Sequence, residues 1–242
     1  MPSINLVQLN IERDKHLDMV LPFVKAQNPD IITFQELADH SVTRLEALGY
    51  AAHFTPMNKR IDAGVPHIQG IAIFSKLPFT RTWSEQYAGA ALDMPEYVGT
   101  TPESKHATQK FRLCMAEVEK DGAAFRVATT HFPWTEGGST SDFQREDMQK
   151  LLGILEKTGE IILTGDFNAP RGGEIFSMLA NKYTDNVPPQ YTSSIDGSLH
   201  RAGPLPYMVD GIFTSPGYTA TDVSMRSGVS DHCALIASIS TS

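Results

Sequence analysis

Eight short runs of aliphatic and β-branched residues limit what this chain can fold into: INLVQLN (4–10), DIITFQE (30–36), GIAIFS (70–75), FRLCMAEVE (111–119), FRVATTH (125–131), EIILTGD (160–166), YMVDGIFT (207–214) and ALIASIS (234–240). Each has strand length and suits a pleated, half-buried surface, and turn formers bound most of them. Helical periodicity between them is sparse. Leu17, Val20, Leu21 and Val24 recur at helical spacing, with Pro22 predicting a kink or a restart. Val42, Leu45 and Leu48 predict a second helix closed by Gly49. Over 141–157, Met148, Leu151, Leu152 and Leu155 form one apolar stripe, and Ser141 with Gln144 offers a capping box. A fourth helical pattern, 173–182, carries Ile175, Met178 and Leu179. So many strands and so few helices argue against a doubly wound parallel sheet and for a layered β-sandwich with outer helices. No linker or low-complexity tract interrupts the chain, so one domain is expected over 1–242.

Charge narrows the function classes. Twenty Lys plus Arg stand against 28 Asp plus Glu, a formal net charge of −8. Proteins that grip long nucleic acid usually present a basic face, because phosphate contacts dominate affinity. The balance weakens a tight DNA-binding module and leaves open a metal-dependent phosphate enzyme, whose clustered carboxylates would add to the negative count. No apolar run approaches the roughly 20 residues needed to span a bilayer. The opening MPSINLVQLN lacks the basic and apolar regions of a signal peptide. Cys114 and Cys233 each fall in an apolar run and read as buried free thiols, which suits a reducing compartment. A soluble, cytoplasmic, monomeric protein without membrane contact is expected.

The strand ends carry the chemistry. In EIILTGDFNAP (160–170) a core strand runs into Asp166 and Asn168, and residues i and i+2 of an extended chain point to one side. A turn opened by Asp and Asn and continued by Pro170 is the ordinary alternative. Other strands finish alike: at Asn10 with Glu12 just beyond, at Glu36, at His131, and at Asp231 and His232 just before the last strand. Each has a plain structural role open to it, as a turn, a helix cap, a loop anchor or a hydrogen-bonded histidine at a sheet rim. Asp210 is harder to explain, since a carboxylate on a buried strand needs a partner or a metal. Eight such groups in one chain ask for a common account, and metal-assisted hydrolysis of a phosphate ester supplies one. Oxygen donors from Asn and Glu suit a hard cation such as Mg²⁺, and no Cys-rich or His-x₃-His spacing points to zinc. Asp166 would activate water, Asn168 would serve as a phosphate or metal-shell donor, and a histidine held by a second carboxylate would offset transition-state charge.

In this order these landmarks resemble the endonuclease/exonuclease/phosphatase superfamily across nearly the whole chain: Asn10, Glu36, GIAIFSKLP, TTHF with His131, GDFN with Asp166 and Asn168, Asp210, and SDH with Asp231 and His232. The resemblance implies a DNase I-like four-layer α/β-sandwich, two packed mixed β-sheets flanked by helices. It implies one catalytic Mg²⁺ (or Mn²⁺) held chiefly by Glu36, with Asn10 and Asp231 near it. It also implies that Asp166 readies the water, that Asn168 contacts the phosphate, and that His131 and the His232–Asp210 pair stabilise the transition state or assist the leaving group. His131 stands where exonuclease III-like members carry a tyrosine. It is similar to the branch that holds pancreatic-type deoxyribonuclease, deadenylases, sphingomyelinases, inositol polyphosphate phosphatases and tyrosyl-DNA phosphodiesterase, and residues 190–213 resemble the last of these most.

A metal-dependent phosphodiesterase acting on nucleic acid or nucleic-acid ends is therefore the leading expectation. A phosphatase or phosphodiesterase for small phosphorylated metabolites or lipid headgroups is the alternative, and a non-catalytic binding module of the same fold is the third reading. Trp134 is a candidate for stacking on a base or for packing on the core. Arg171 is a candidate phosphate contact or an exposed arginine opening a helix. Segment 87–110 lacks clear periodicity and is a candidate substrate-facing loop, with Lys105, His106 and Lys110 giving it modest positive charge, or an ordinary solvated loop.

Overall fold

In the computed structural model, which describes residues 1–62 and 64–242, the eight apolar runs become the inner strands of two six-stranded sheets. The first sheet has the order β11 (Tyr218–Arg226), β12 (Ala234–Thr241), β1 (Ser3–Asn10), β2 (Ile31–Ala38), β4 (Val65–Ser75), β3 (Ala51–Asp62). The second has the order β5 (Phe79–Gly89), β6 (Lys110–Lys120), β7 (Ala123–His131), β8 (Ile162–Asp166), β10 (Asp210–Thr214), β9 (Thr184–Asp185). Both sheets are mixed: β1 pairs parallel with β2, and β7 parallel with β8, while their other pairings are antiparallel. Parallel neighbours need a crossover, and the longest helix supplies one of them. That helix, α4 (Asp142–Thr158), carries the chain from β7 to β8, and α1 (Leu17–Gln27) carries it from β1 to β2.

The burial pattern makes four layers. One face of the first sheet (Val7, Leu9, Ile32, Phe34, Ala72 and Phe74) packs on Leu17, Val20 and Val24 of α1 and on Leu45 of α2 (Val42–Glu46). Its other face, with Ile4, Leu6, Ile31, Ile71 and Ile73, joins the second sheet in one core. Beyond that sheet lie Met148, Leu151 and Leu155 of α4 and Ile175, Phe176 and Leu179 of α5 (Glu174–Ala180). Each fully buried aliphatic or aromatic side chain here contributes about 1.5–3 kcal/mol of transfer free energy, so the inner strands hold the fold. The Ser141/Gln144 capping box expected of α4 is formed in both directions.

Three local expectations are corrected. Helix α1 runs through Pro22 as one helix and ends at a left-handed Asn28. Helix α2 stops at Glu46, and Gly49 lies beyond it in a tight turn, its N–H donating to the Glu46 carbonyl. Segment 87–110 is not one loop: its first residues finish β5, its last begins β6, and 102–107 form a short helix, α3 (Pro102–Ala107), with a Thr101/Ser104 capping box. Among the described residues no helix is long and apolar enough to cross a membrane. Cys114 and Cys233 are buried free thiols, as expected.

Candidate active site

Register builds the centre of the site. His131, Asp166 and Asp210 occupy directly opposed positions on β7, β8 and β10, so their side chains leave one face of the second sheet. That face meets β1 and β2, where Gln8 and Asn10, two apart, point back at it. Asn10 Nδ2 donates to Asp166 Oδ2 at 3.0 Å, and Gln8 Nε2 donates to Asp210 Oδ1 at 2.9 Å. Behind this row the polar layer continues inward. Gln8 Nε2 also donates to Gln35 Oε1 (2.7 Å), Gln35 Nε2 donates to Thr129 Oγ1 (2.8 Å), and Thr164 Oγ1 donates to Thr33 Oγ1 (2.8 Å). All of these are buried, and buried polar groups hold their place only when paired.

The turn after β8 is specialised. Gly165 has φ 154°, and a Cβ there would run into the Thr130 carbonyl oxygen of the neighbouring strand. Glycine lets the backbones of β7 and β8 approach closely just where Asp166 emerges. Asn168, with φ 48°, folds its own backbone N–H onto Asp166 Oδ1 at 2.9 Å and donates its side-chain amide to the Phe132 carbonyl at 2.9 Å. The Asp–Asn pair therefore does make a turn, and the same turn fixes the Asp166 carboxylate.

Glu36 is placed by an irregularity. Pairing between β2 and β4 slips between Phe34 and Leu37, and Glu36 sits in this bulge at φ 55°. A left-handed residue in a bulge stores strain and re-aims a side chain out of the alternating pattern. Its carboxylate accepts from Arg13 Nη1 at 2.9 Å and lies 3.9 Å from His131 Nε2. Arg13 also reaches Asp62 (2.8 Å) and Glu12 (3.2 Å). Burial works against Glu36 ionising, but His131, Arg13 and Arg60 outweigh it and hold its carboxyl below the usual range.

His232 and Asp210 form the tightest pair, Nδ1 to Oδ2 at 2.7 Å, which directs Nε2 toward Asp166 Oδ2, 3.8 Å away. His131 Nε2 is 3.6 Å from that same oxygen. Burial disfavours charge on His232, yet Asp210 and Asp166 outweigh it and push the imidazole up to about 10. Burial, with Asp210 adding to it, lifts Asp166 above the usual carboxylate range against the pull of both histidines. Burial pushes Asp231 up to about 6, and Glu36 and Glu12 add to that push against the pull of His232.

Glu36, His131, Asp166, Asn168, Asp231 and His232 line a cleft of about 630 Å³, together with Trp134. Asn10 and Asp210 stand behind it, buried, and reach it through Asp166 and His232. Arg171 does not reach it. Its guanidinium holds Asp185 at 2.9 Å and the carbonyls of Val187, Pro188 and Tyr191 at 2.9–3.4 Å, tying together the segment after α5. Sequence reading missed Gln8, Gln35, Arg13, Arg60 and Arg201. A signal existed for the glutamines: Gln8/Asn10, Thr33/Gln35, Thr129/His131 and Thr164/Asp166 are polar pairs two apart on four strands whose buried side chains are otherwise mostly apolar.

Glu12, His16 and Asp231 offer ligand atoms within 4.8 Å of one another, a grouping able to hold a cation, while Glu36 lines the same cleft with its carboxylate held by Arg13.

The model of the endonuclease/exonuclease/phosphatase family matches residues 7–232. Solved structures match over nearly the full chain at low identity. The human nocturnin catalytic domain with bound sulfate has a TM-score of 0.72 at 20% identity, covering 100% of this chain and 94% of that one. A mannosyl-6-phosphatase of Bacteroides thetaiotaomicron has a TM-score of 0.72 at 14% identity, covering 98% and 99%. TDP2 of D. rerio, complexed with a single-strand DNA product, has a TM-score of 0.66 at 16% identity, covering 99% of each chain. No curated protein matches the chain in sequence.

Proposed function

Because the chain belongs to the endonuclease/exonuclease/phosphatase family, whose members are phosphoric ester hydrolases, we propose that it is a metal-dependent phosphodiesterase acting on nucleic acid or a nucleic-acid end. One observation carries this reading. Asn10, His131 and His232 converge on Asp166 Oδ2 from 3.0, 3.6 and 3.8 Å, deep in an open cleft. A buried carboxylate so surrounded by donors is a proton acceptor fixed in direction.

Glu36 and Asp231, with Asn10 behind them, are the residues that would hold Mg²⁺ or Mn²⁺; bound there, the ion supplies Lewis-acid polarisation of a phosphoryl oxygen. The remaining work falls to the protein. Asp166 takes the proton of the attacking water, its raised proton affinity making it the better base. The bond from the water oxygen to phosphorus forms as the ester P–O bond breaks. His232, charged and braced by Asp210, donates Nε2–H to a phosphoryl oxygen as negative charge builds there. His131 stands beside Asp166 and Glu36, where it donates to the departing oxygen. Asn168 positions Asp166 through its backbone N–H.

A second reading, hydrolysis of a small phosphorylated metabolite, is favoured by the cleft itself, whose 630 Å³ falls in the range of small-ligand sites. Cleavage of a 5′-labelled oligonucleotide, single-stranded and duplex, with Mg²⁺ tests both readings. Cutting by wild type and not by Asp166→Ala is the expected result. Absence of cutting by either, with turnover of small phosphate monoesters, would replace the first reading by the second.

A further inference from the structure

The cleft contains cations that the chemistry above does not use. Arg60 on β3, Lys105 on α3 and Arg201 on the loop before β10 all line it. They come from three distant segments of a chain whose net charge is −8. Two of them rest on aromatic faces: Lys105 Nζ lies 3.4 Å from the Trp134 ring centroid, and Arg60 Cζ lies 4.1 Å from that of Tyr97. Trp134 and Tyr97 line the cleft as well. Among the described residues neither Lys105 nor Arg201 forms an ion pair with a carboxylate, and Arg60 has only a 3.8 Å approach to Asp62. Burial makes Lys105 easier to deprotonate, and Arg201 and Arg60 add to this against the pull of Glu36 and Glu136. A phosphate placed among the three would meet positive charge from three sides.

The segments that bear these residues are tied to the rest of the fold. Helix α3 is anchored by His106, whose Nε2 lies 2.6 Å from the buried Asp147 of α4 and whose ring packs on Phe111 and Phe143. Tyr97 is fixed to the strand that bears Arg60, donating its backbone N–H to the Lys59 carbonyl at 2.9 Å while Lys59 donates to Pro95 at 2.8 Å. The loop of Arg201 is tied to the Asp231 segment, because Asp196 N donates to the Asp231 carbonyl at 2.9 Å and Asp196 Oδ2 accepts from Gly228 N at 2.6 Å. The backbone under each cation is thus tied to its neighbours, which lowers the cost of ordering the three around a ligand.

We propose that Arg60, Lys105 and Arg201 form a second phosphate subsite in the cleft, so that the preferred substrate carries one phosphate at the Asp166 centre and another here. This deepens the hydrolase reading and rests on it for the substrate. The second phosphate has two chemical sources: a neighbouring nucleotide of a nucleic-acid end, or a second ester on a small bisphosphorylated metabolite.

The test compares substrates that differ by one phosphate, TpT against pTpT, and fructose 6-phosphate against fructose 1,6-bisphosphate, for wild type, Lys105→Met, Lys105→Arg and the double variant Lys105→Met/Arg201→Gln. Wild type is expected to favour the doubly phosphorylated member of one pair at least about tenfold in kcat/KM, and that pair identifies the source. The preference should fall toward unity in Lys105→Met and the double variant and be largely kept in Lys105→Arg, since charge-assisted contacts follow the charge. No preference in wild type, or an equal loss on both members of a pair, overturns the subsite. Calorimetric titration of metal-free protein with inorganic phosphate separates this inference from the activity. If no substrate is turned over, the hydrolase reading falls, while weaker phosphate binding in Lys105→Met than in wild type still upholds the subsite. Identical binding by the two overturns it. Should the double variant fail to fold, the single Lys105 variants carry the comparison, because that side chain is only partly buried.

Discussion

His232 and Asp210 lie 22 residues apart and meet at 2.7 Å, with the carboxylate fully buried and its second oxygen held by Gln8. The contact fixes the imidazole on one side and turns its other nitrogen toward the cleft. In metal-free protein the imidazole, pushed from 6.5 up to about 10, should stay protonated at pH 8. A proton affinity raised on folding stabilises the fold fully below 6.5, and that contribution is lost as pH rises through about 10. NMR of the imidazole protons in chelated samples checks this. Asp210→Asn should move the titration down, with Asp166 still opposing the fall, and a neutral His232 at pH 8 in wild type would contradict the assignment.

Removal of the Glu36 carboxylate bears on the metal. Chelation should abolish hydrolysis, and added Mg²⁺ or Mn²⁺ should restore it. Glu36→Gln should weaken Mg²⁺ binding by at least about 100-fold, more than loss of an outer-sphere partner does. Calorimetry on the free protein measures this apart from turnover, and an unchanged isotherm would place the ion elsewhere.

At Gly165 the close approach of two backbones leaves no room for a methyl group. Gly165→Ala should cost at least about 2 kcal/mol, the scale of a strained backbone site. Urea unfolding measures it, and a loss below about 0.5 kcal/mol would mean that the strands separate easily.

Arg171 predicts the opposite division of effects. Its loss leaves the 185–191 segment without its ties, so Arg171→Ala should lower stability by about 1–3 kcal/mol. Its kcat/KM for any substrate should stay within about twofold of wild type. A large loss of turnover in a folded variant would return Arg171 to the substrate.

The eight runs legible in the sequence are β1, β2, β4, β6, β7, β8, β10 and β12, the inner strands of both sheets. The four that went unread, β3, β5, β9 and β11, are the four edges. An inner strand packs side chains on one or both faces and so must be apolar. An edge such as β5, with Arg81, Glu85 and other exposed side chains along most of its length, has no such requirement and carries no apolar run. The same distinction separates the site residues. Asn10, Glu36, His131, Asp166, Asp210, Asp231 and His232 were visible because a polar group beside an apolar strand stands out. Arg60, Lys105 and Arg201 were not seen as a cluster, since they come from an edge strand, a six-residue helix and a loop, where a cation is unremarkable until the fold brings three of them to one cleft.

The residues around Asp166 are drawn from both sheets and from nearly the whole length of the chain, Asn10 at one extreme and His232 at the other. Contacts of such long sequence separation close late, because each costs the entropy of a large loop before it is rewarded. A chain cut before residue 232 would keep Asn10 and Asp166 but lose the imidazole that faces them. The group around Asp166 is therefore complete only when the segment bearing His232 has joined the sheet beside β1.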